Sequence, residues 1–127
     1  MRAFDADVLI YASAGDPRGD VLLEDLDPAR PGAVAGLGSV LLLTETLVPG
    51  KGAAHHPRLR GLLARLDLVP VTREVAAVAA TLRGVYRLKT PDAIHLATAV
   101  VAGADQFVTG NRRDFDARMA EIDVVLV

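Results

Sequence analysis

The chain of 127 residues contains no cysteine. That absence excludes disulfide frameworks, thiol catalysis, zinc knuckles and cysteine-ligated iron–sulfur clusters. Long hydrophobic runs are missing too. The longest uncharged stretch, Pro31 to Thr44, is broken by Pro31, Gly32, Gly36 and Gly38, whereas a membrane-spanning helix needs about 20 apolar residues. Asp5 and Asp7 fall where the apolar part of a secretory signal would stand, so the sequence predicts a cytoplasmic protein without a membrane segment. Nor is there an excess of charge of one sign. Lys and Arg number 14 against 16 Asp and Glu, for a net charge of -2, which argues against a generic basic nucleic-acid coat. Hydrophobic residues nevertheless make up 51%. A chain of this length buries roughly two-thirds of its unfolded surface and needs no staple to hold a core. One domain over residues 1–127 is expected.

The balanced total hides an uneven distribution. Residues 1–50 carry three arginines and eight acids, residues 51–89 eight basic residues and two acids, and residues 90–127 three arginines and six acids. The ends are therefore acidic and the middle basic. Taken alone, such segments are as readily solvated helix faces as binding surfaces.

Short apolar runs alternate with helical patterns. Strands are expected at residues 2–5, 33–37, 68–71, 106–109 and 123–127. Helices are expected from Asp7, as a cap, to Ala14; over 17–27; from Ser39, as a cap, to Val48; over 57–66; over 73–87; and from Thr90, as a cap with Pro91 in the first turn, to Val101. Repeated strand–helix units predict a parallel sheet covered by helices on both faces. The loop at Gly50-Lys51-Gly52 is expected to be the most flexible.

Several familiar motifs fail on spacing. Gly50-Lys51-Gly52 lacks the remainder of a phosphate loop, and Gly36-Leu37-Gly38-Ser39 lacks both the third glycine of a dinucleotide fingerprint and the frame of a nucleophilic serine. His55 and His56 are adjacent and point differently, and with only His95 elsewhere they do not make an all-histidine zinc site. Four carboxylates stand out instead. Asp5 directly follows a hydrophobic strand, where ligands gather in open parallel sheets. Glu45 shares a helical face with Leu41, Leu42 and Val48, a costly place for an uncompensated charge unless it reaches water at the rim. Asp92 occupies the first turn of a helix, where the dipole alone would favour an acid. Asp114 follows the strand QFVT and a polar loop, where it could also be a surface acid or a cap for a short helix near Phe115. Each has a structural explanation of its own, but the topology brings most of these positions to one edge of the sheet. Converging carboxylates repel, and a hard divalent cation such as magnesium relieves the repulsion using oxygen ligands. Phosphodiester hydrolysis is the reaction that suits such a centre.

Four stretches, FDADVLIYA at 4–12, SVLLLTETLV at 39–48, KTPDAIHLATAVVAGAD at 89–105 and QFVTGNRRDF at 106–115, resemble the PIN-domain nuclease family, and more narrowly its VapC-like branch of bacterial toxins. The order matches and nearly the whole chain is spanned. The resemblance implies an α/β/α sandwich around a five-stranded parallel sheet and a Mg2+- or Mn2+-dependent endoribonuclease. It places the family's acidic quartet on Asp5, Glu45, Asp92 and Asp114 and its supporting polar residues on Thr109 and Asn111. It also implies a cognate antitoxin and a homodimer. Asp7 departs from the family, which usually has Asn, Ser or Thr there; it could add a ligand or merely cap the helix. Asn111 stands where some relatives carry an acid, so the fourth acidic contact rests on Asp114.

On this reading Asp5, Asp92 and Asp114 hold the metal, and Glu45 adds a ligand or orients water. The basic middle, including Arg87 and Lys89, together with Arg112 and Arg113, would draw the RNA backbone toward the acids. Only Tyr11, Tyr86, Phe4, Phe107 and Phe115 could stack on bases, and Phe4 and Phe107 lie within expected strands, so selection by stacking is limited. The antitoxin would lie between the helix at 7–14 and those near 39–66. Three rivals remain open. Asp5-Ala6-Asp7-Val8 resembles the opening of haloacid-dehalogenase-type phosphatases, but the later lysine and paired acids are missing. A phosphoacceptor receiver domain would need an aspartate after the third strand, where LVPVTRE stands. A catalytically inactive PIN scaffold that binds RNA or protein keeps the same fold.

Overall fold

The structure, a computed structural model, describes residues 1–50 and 52–127. The expected flexible loop at Gly50-Lys51-Gly52 therefore lies partly outside the described residues, at Lys51. Five parallel strands, β1 (Arg2–Phe4), β2 (Gly36–Ser39), β3 (Leu66–Val69), β4 (Gln106–Thr109) and β5 (Asp123–Leu126), form one sheet in the order β3-β2-β1-β4-β5. Six helices surround it: α1 (Ala6–Ser13), α2 (Asp20–Glu24), α3 (Leu42–Thr46), α4 (His56–Leu63), α5 (Arg73–Tyr86) and α6 (Thr90–Val101). None of the described helices is long and apolar enough to cross a membrane.

Strand alternation builds two cores, one on each face of the sheet. Ala3, Leu37, Phe107 and Val124 point to the face covered by α5 and α6, where they meet Val75, Leu82, Leu96 and Phe115. Phe4 and Val108, each one residue along, point to the opposite face and meet Val8, Leu9, Leu42 and Leu62 of α1, α3 and α4. This is the expected α/β/α sandwich.

The order matters for function. From β1 the chain steps outward to β2 and β3, then returns across the sheet to β4 and β5 on the other side of β1. Strand order thus reverses between β1 and β4. A crevice opens beyond the carboxyl ends of two such strands, because their connections leave in opposite directions. Asp5 and the loop beginning at Gly110 stand at that crevice.

Local expectations shift in several places. The cap of α1 is Asp5, whose carboxylate accepts from Ala6 N at 2.9 Å, and not Asp7. β1 ends one residue early, so the helix starts at Ala6. Lys89 rather than Thr90 occupies the cap position of α6, and no side-chain cap bond forms there, while Pro91 sits in the first turn as expected. The helix expected over 17–27 is a 3-10 turn (Pro17–Gly19) followed by α2. Gly19 lies so close to α1 that a Cβ would stand 2.2 Å from the backbone nitrogen of Ala12. Ser39 ends β2 and its hydroxyl accepts from Leu41 N, so α3 runs only from Leu42 to Thr46. The strand expected at 33–37 is instead Gly36–Ser39, with Leu66–Val69 beside it in register. A Cβ at Gly36 would meet the Phe4 ring at 2.6 Å, so this glycine is what admits Phe4 to the core.

The core on the α5 and α6 face makes a direct prediction. Leu82 is 2% exposed, and Leu82→Ala should lower unfolding free energy in urea by about 2–5 kcal/mol. A loss below about 1 kcal/mol would mean that α5 is not tightly docked.

Candidate active site

Asp5, Asp7, Glu45, Asp92 and Asn111 line one open hollow of about 260 Å³ beyond β1 and β4. Asp5 is placed by β1, which delivers it directly into the crevice, and it is 5% exposed. One carboxylate oxygen accepts from Ala6 N, and the other accepts from the Thr109 hydroxyl at 2.8 Å. Thr109, the last residue of β4 and fully buried, also accepts from Asn111 N at 3.0 Å. The Asn111 side chain then donates to Asp114 Oδ2 at 3.0 Å and accepts from Asp114 N. A chain of hydrogen bonds therefore runs from the start of α1 through Asp5, Thr109 and Asn111 to Asp114. No helix begins near Phe115; Asp114 is held by Asn111 instead.

Asp7 points to the same loop, and its Oδ2 accepts from Gly110 N at 3.0 Å. A Cβ at Gly110 would lie 2.8 Å from the Tyr11 ring and 2.9 Å from Asp7 Oδ2, so glycine is what lets this loop close on α1. Tyr11 is covered on its other side by Arg18, 3.9 Å from the ring centre. The other oxygen of Asp7 is buried without a partner among the described residues.

Asp92 reaches the hollow from the first turn of α6, and one turn later on that helix stands His95. Glu45 comes from α3, and its Oε1 lies 2.9 Å from His95 Nε2. Glu45 sits at the rim of its apolar face and reaches water, one of the two placements open to it in sequence, with Leu42 buried behind it. Val48 is exposed, Glu45 itself opens to solvent, and its close partner is a histidine. Among the acids expected to act together, Asp5, Glu45 and Asp92 share the hollow, while Asp114 borders it from behind Asn111.

The electrostatics reflect crowded carboxylates in restricted water. Burial pushes Asp5 above the ordinary carboxylate pKa, and Glu45 adds to it, against relief from His95, Thr109 and Ala6 N. Burial, then the charge of Asp5, pushes Asp7 from 3.8 up to about 6. Asp92 is raised by burial and then by Asp5, Asp114 and Glu45. Burial disfavours a charged His95, yet its bond to Glu45 and the charges of Asp5, Glu45 and Asp92 outweigh burial and raise its pKa. For all three carboxyls burial is the largest cause, and a neighbouring acid adds to it.

Among the described residues, no three His, Cys, Asp or Glu side chains are arranged to hold a metal ion as they stand. The chemistry of the donor set still suits a hard divalent cation. The donors are oxygens, they raise one another's pKa, and Asp7 presents a buried oxygen that no described residue satisfies. The side chains able to contribute are Asp5, Asp7, Asp92, Glu45 and Asp114.

Sequence reasoning missed two participants. His95 is 2% exposed and in sequence suggests no more than a failed zinc site; its signal is its spacing from Asp92, three residues along one helix. Gly110 was overlooked, although it directly follows a buried strand end. The aromatic residues contribute little stacking surface: Phe4 and Phe107 are core as expected, and Phe115 is as well, with its ring centre 5.1 Å from that of Phe107. Part of the basic middle is also structural. Arg58, Arg65 and Arg83 donate to the backbone carbonyls of Ser13, Ala33 and Leu88. Arg87 and Lys89 are exposed beside the turn between α5 and α6, and Arg112 and Arg113 are exposed in the loop after β4. Of these four, Arg87, Arg112 and Arg113 line a common hollow.

The raised pKa of Asp7 fixes the sign of a pH effect. Its protonated form is favoured by folding, so this contribution is complete below pH 4 and is lost as pH rises through about 6. In chelator, Asp7→Asn should melt with wild type at pH 4 and progressively above it toward pH 7. A difference in melting temperature that is constant with pH would contradict the burial of this carboxyl.

Residues 3–121 match the PIN domain family. The chain is 31% identical over 117 residues to Ribonuclease VapC46 of Mycobacterium tuberculosis, covering 92% of this chain and 85% of that protein. Its structure resembles that of a toxin–antitoxin complex from Klebsiella pneumoniae, with a TM-score of 0.76 and 30% identity across 98% of this chain and 96% of that one. It also shares its fold with VapBC2 from Rickettsia felis, solved bound to a DNA fragment from the promoter, with a TM-score of 0.74 at 18% identity over 99% and 98% of the two chains. With the strand order, the acidic crevice and these likenesses in agreement, the chain belongs to the PIN-domain family and to its VapC-like branch.

Proposed function

We propose that residues 1–127 act as one domain, a cytoplasmic endoribonuclease that depends on Mg2+ or Mn2+ and serves as the toxin of a toxin–antitoxin pair. The observation that carries the activity is the set of desolvated carboxylates facing one hollow where strand order reverses. Support for the substrate comes from the mycobacterial relative, which is named a ribonuclease. Support for the partner comes from the Klebsiella relative, which was solved as a toxin–antitoxin complex.

In this proposal Asp5, Asp92 and Asp114 hold the cation, and Glu45 completes the set or orients the attacking water. When bound, the cation would polarise a phosphoryl oxygen, ease loss of a proton from water and stabilise the leaving oxygen. The protein's own residues supply the geometry. Ala6 N and the Thr109 hydroxyl fix both oxygens of Asp5. Asn111 fixes Asp114, and His95 holds Glu45 at the mouth. Asp7 anchors the loop at Gly110, which keeps Asn111 in place. The antitoxin would set an apolar segment against Ala12, Leu23, Leu26 and Leu62, a hollow rimmed by Arg58 and Arg65.

Purified protein should cut single-stranded RNA internally with Mg2+ and stop when chelator is added. Asp5→Asn should lose about a hundredfold or more in rate, and Thr109→Val about 10- to 100-fold, since it removes the group that orients Asp5. Asp5→Asn cutting as fast as wild type would overturn the assignment. RNA bound but left intact at saturating Mg2+ would mark the chain as a binding scaffold instead.

A further inference from the structure

Beyond Asp114 the surface changes sign. A second open hollow, of about 370 Å³, is lined by Arg87, Arg112 and Arg113 together with Tyr86, Asp114 and Phe115. Asp114 is the border between the two hollows, because its carboxylate takes the amide of Asn111, which lines the acidic one. Asp116 also reaches the second hollow, but Arg118 takes its carboxylate at 2.7 Å. Tyr86 forms a fixed wall, its hydroxyl donating to Glu121.

The arginines of this protein fall into two groups. Arg2, Arg18 and Arg118 pair with carboxylates, and Arg58, Arg65 and Arg83 donate to carbonyls. The other six, Arg30, Arg60, Arg73, Arg87, Arg112 and Arg113, make no ion pair or side-chain hydrogen bond among the described residues. Three of those six line this one hollow. Like charges gathered without partners repel, and a phosphate relieves them, since the guanidinium fork matches its oxygens in pairs.

The backbone adds an independent observation. Arg87 has φ 57 and ψ 39 and is the one non-glycine residue with positive φ among those described. It ends α5, its N–H bonding to Arg83 O at 2.8 Å. Glycine is the usual occupant of that position because it has no Cβ to strain. The backbone conformation therefore gives no reason for a long cationic side chain at this position.

We propose that Arg87, Arg112 and Arg113 form a subsite for a second phosphate of the RNA strand, neighbouring the one that is cleaved. This rests on the ribonuclease reading and adds a substrate requirement to it: the strand must extend past the scissile bond toward the arginines. A dinucleotide fills the acidic hollow and leaves this one empty.

The test separates binding from cleavage. A labelled single-stranded hexaribonucleotide is bound to wild type, Arg87→Gly and Arg112→Gln in chelator over a range of salt. Each substitution should reduce the slope of log affinity against log salt by about 0.7, the value for one phosphate contact on a single strand. Arg73→Gln is the control. Its arginine also has no partner among the described residues, but it starts α5, about 20 Å of helix away from Arg87. Arg87→Gly should hold or raise the melting temperature while weakening binding, an opposition that loss of folding cannot produce. With Mg2+, kcat/KM should rise from dinucleotide to hexanucleotide, and the arginine variants should flatten that rise. Slopes unchanged in both variants overturn the subsite, whether or not RNA is cut. Normal slope changes with no cleavage by wild type overturn the ribonuclease reading alone.

Discussion

The hydroxyl of Thr109 donating to Asp5 Oδ2 joins the end of β4 to the end of β1, across 104 residues of chain. Both groups are buried, and neither position makes sense without the other. Asp5 would be a desolvated carboxylate with one oxygen unsatisfied, and Thr109 a buried hydroxyl with no acceptor. The same hydroxyl takes Asn111 N, and Asn111 in turn positions Asp114. The reversal of strand order is what puts β1 beside β4 in the first place. A bond at one seam of the sheet thus sets the direction of two acids that are distant in sequence.

Around that seam the protein concentrates charge of one sign where water is scarce. Asp5, Asp7 and Asp92 all have raised pKa values, each from burial first with neighbouring carboxylates adding to it, against relief from His95 at Asp5 and Asp92 and from Arg18 at Asp7. Such an arrangement costs stability and persists where a cation offsets it. Immediately beyond Asp114 the sign inverts with three arginines that have no ion pair among the described residues. The near-neutral total charge conceals two adjoining surfaces of opposite sign, and in the proposed function a phosphodiester strand would use both: a cation at the cleaved phosphate, arginines at its neighbour.

Much of this was legible in the sequence. Strands such as QFVT stood out because buried parallel strands are short apolar runs, and the alanine-rich stretch at 73–87 because it is long and periodic. The acids could be singled out because each follows a strand or opens a helix. What was not legible depended on contacts between distant segments. β2 is Gly-Leu-Gly-Ser, with little strand propensity of its own; it is a strand because β1 and β3 pair with it and because Phe4 fills the space above Gly36. The cap of α1 moved from Asp7 to Asp5 because β1 ended one residue early. Glu45 was read against its own helix, whereas its partner, His95, lies 50 residues away. The basic middle looks like a single phosphate track, but backbone carbonyls claim Arg58, Arg65 and Arg83, and among its described residues only Arg87 joins the arginines of the distant loop.

The central claim is that these carboxylates are held short of solvation and that a divalent cation relieves them. Carbon-13 NMR of the side-chain carboxyl of Asp7, followed through a pH titration with and without Mg2+, addresses it most directly. The midpoint should lie near 6 in chelator and move down toward the ordinary aspartate range when Mg2+ is added. A midpoint near 4 in chelator, unmoved by Mg2+, would contradict it.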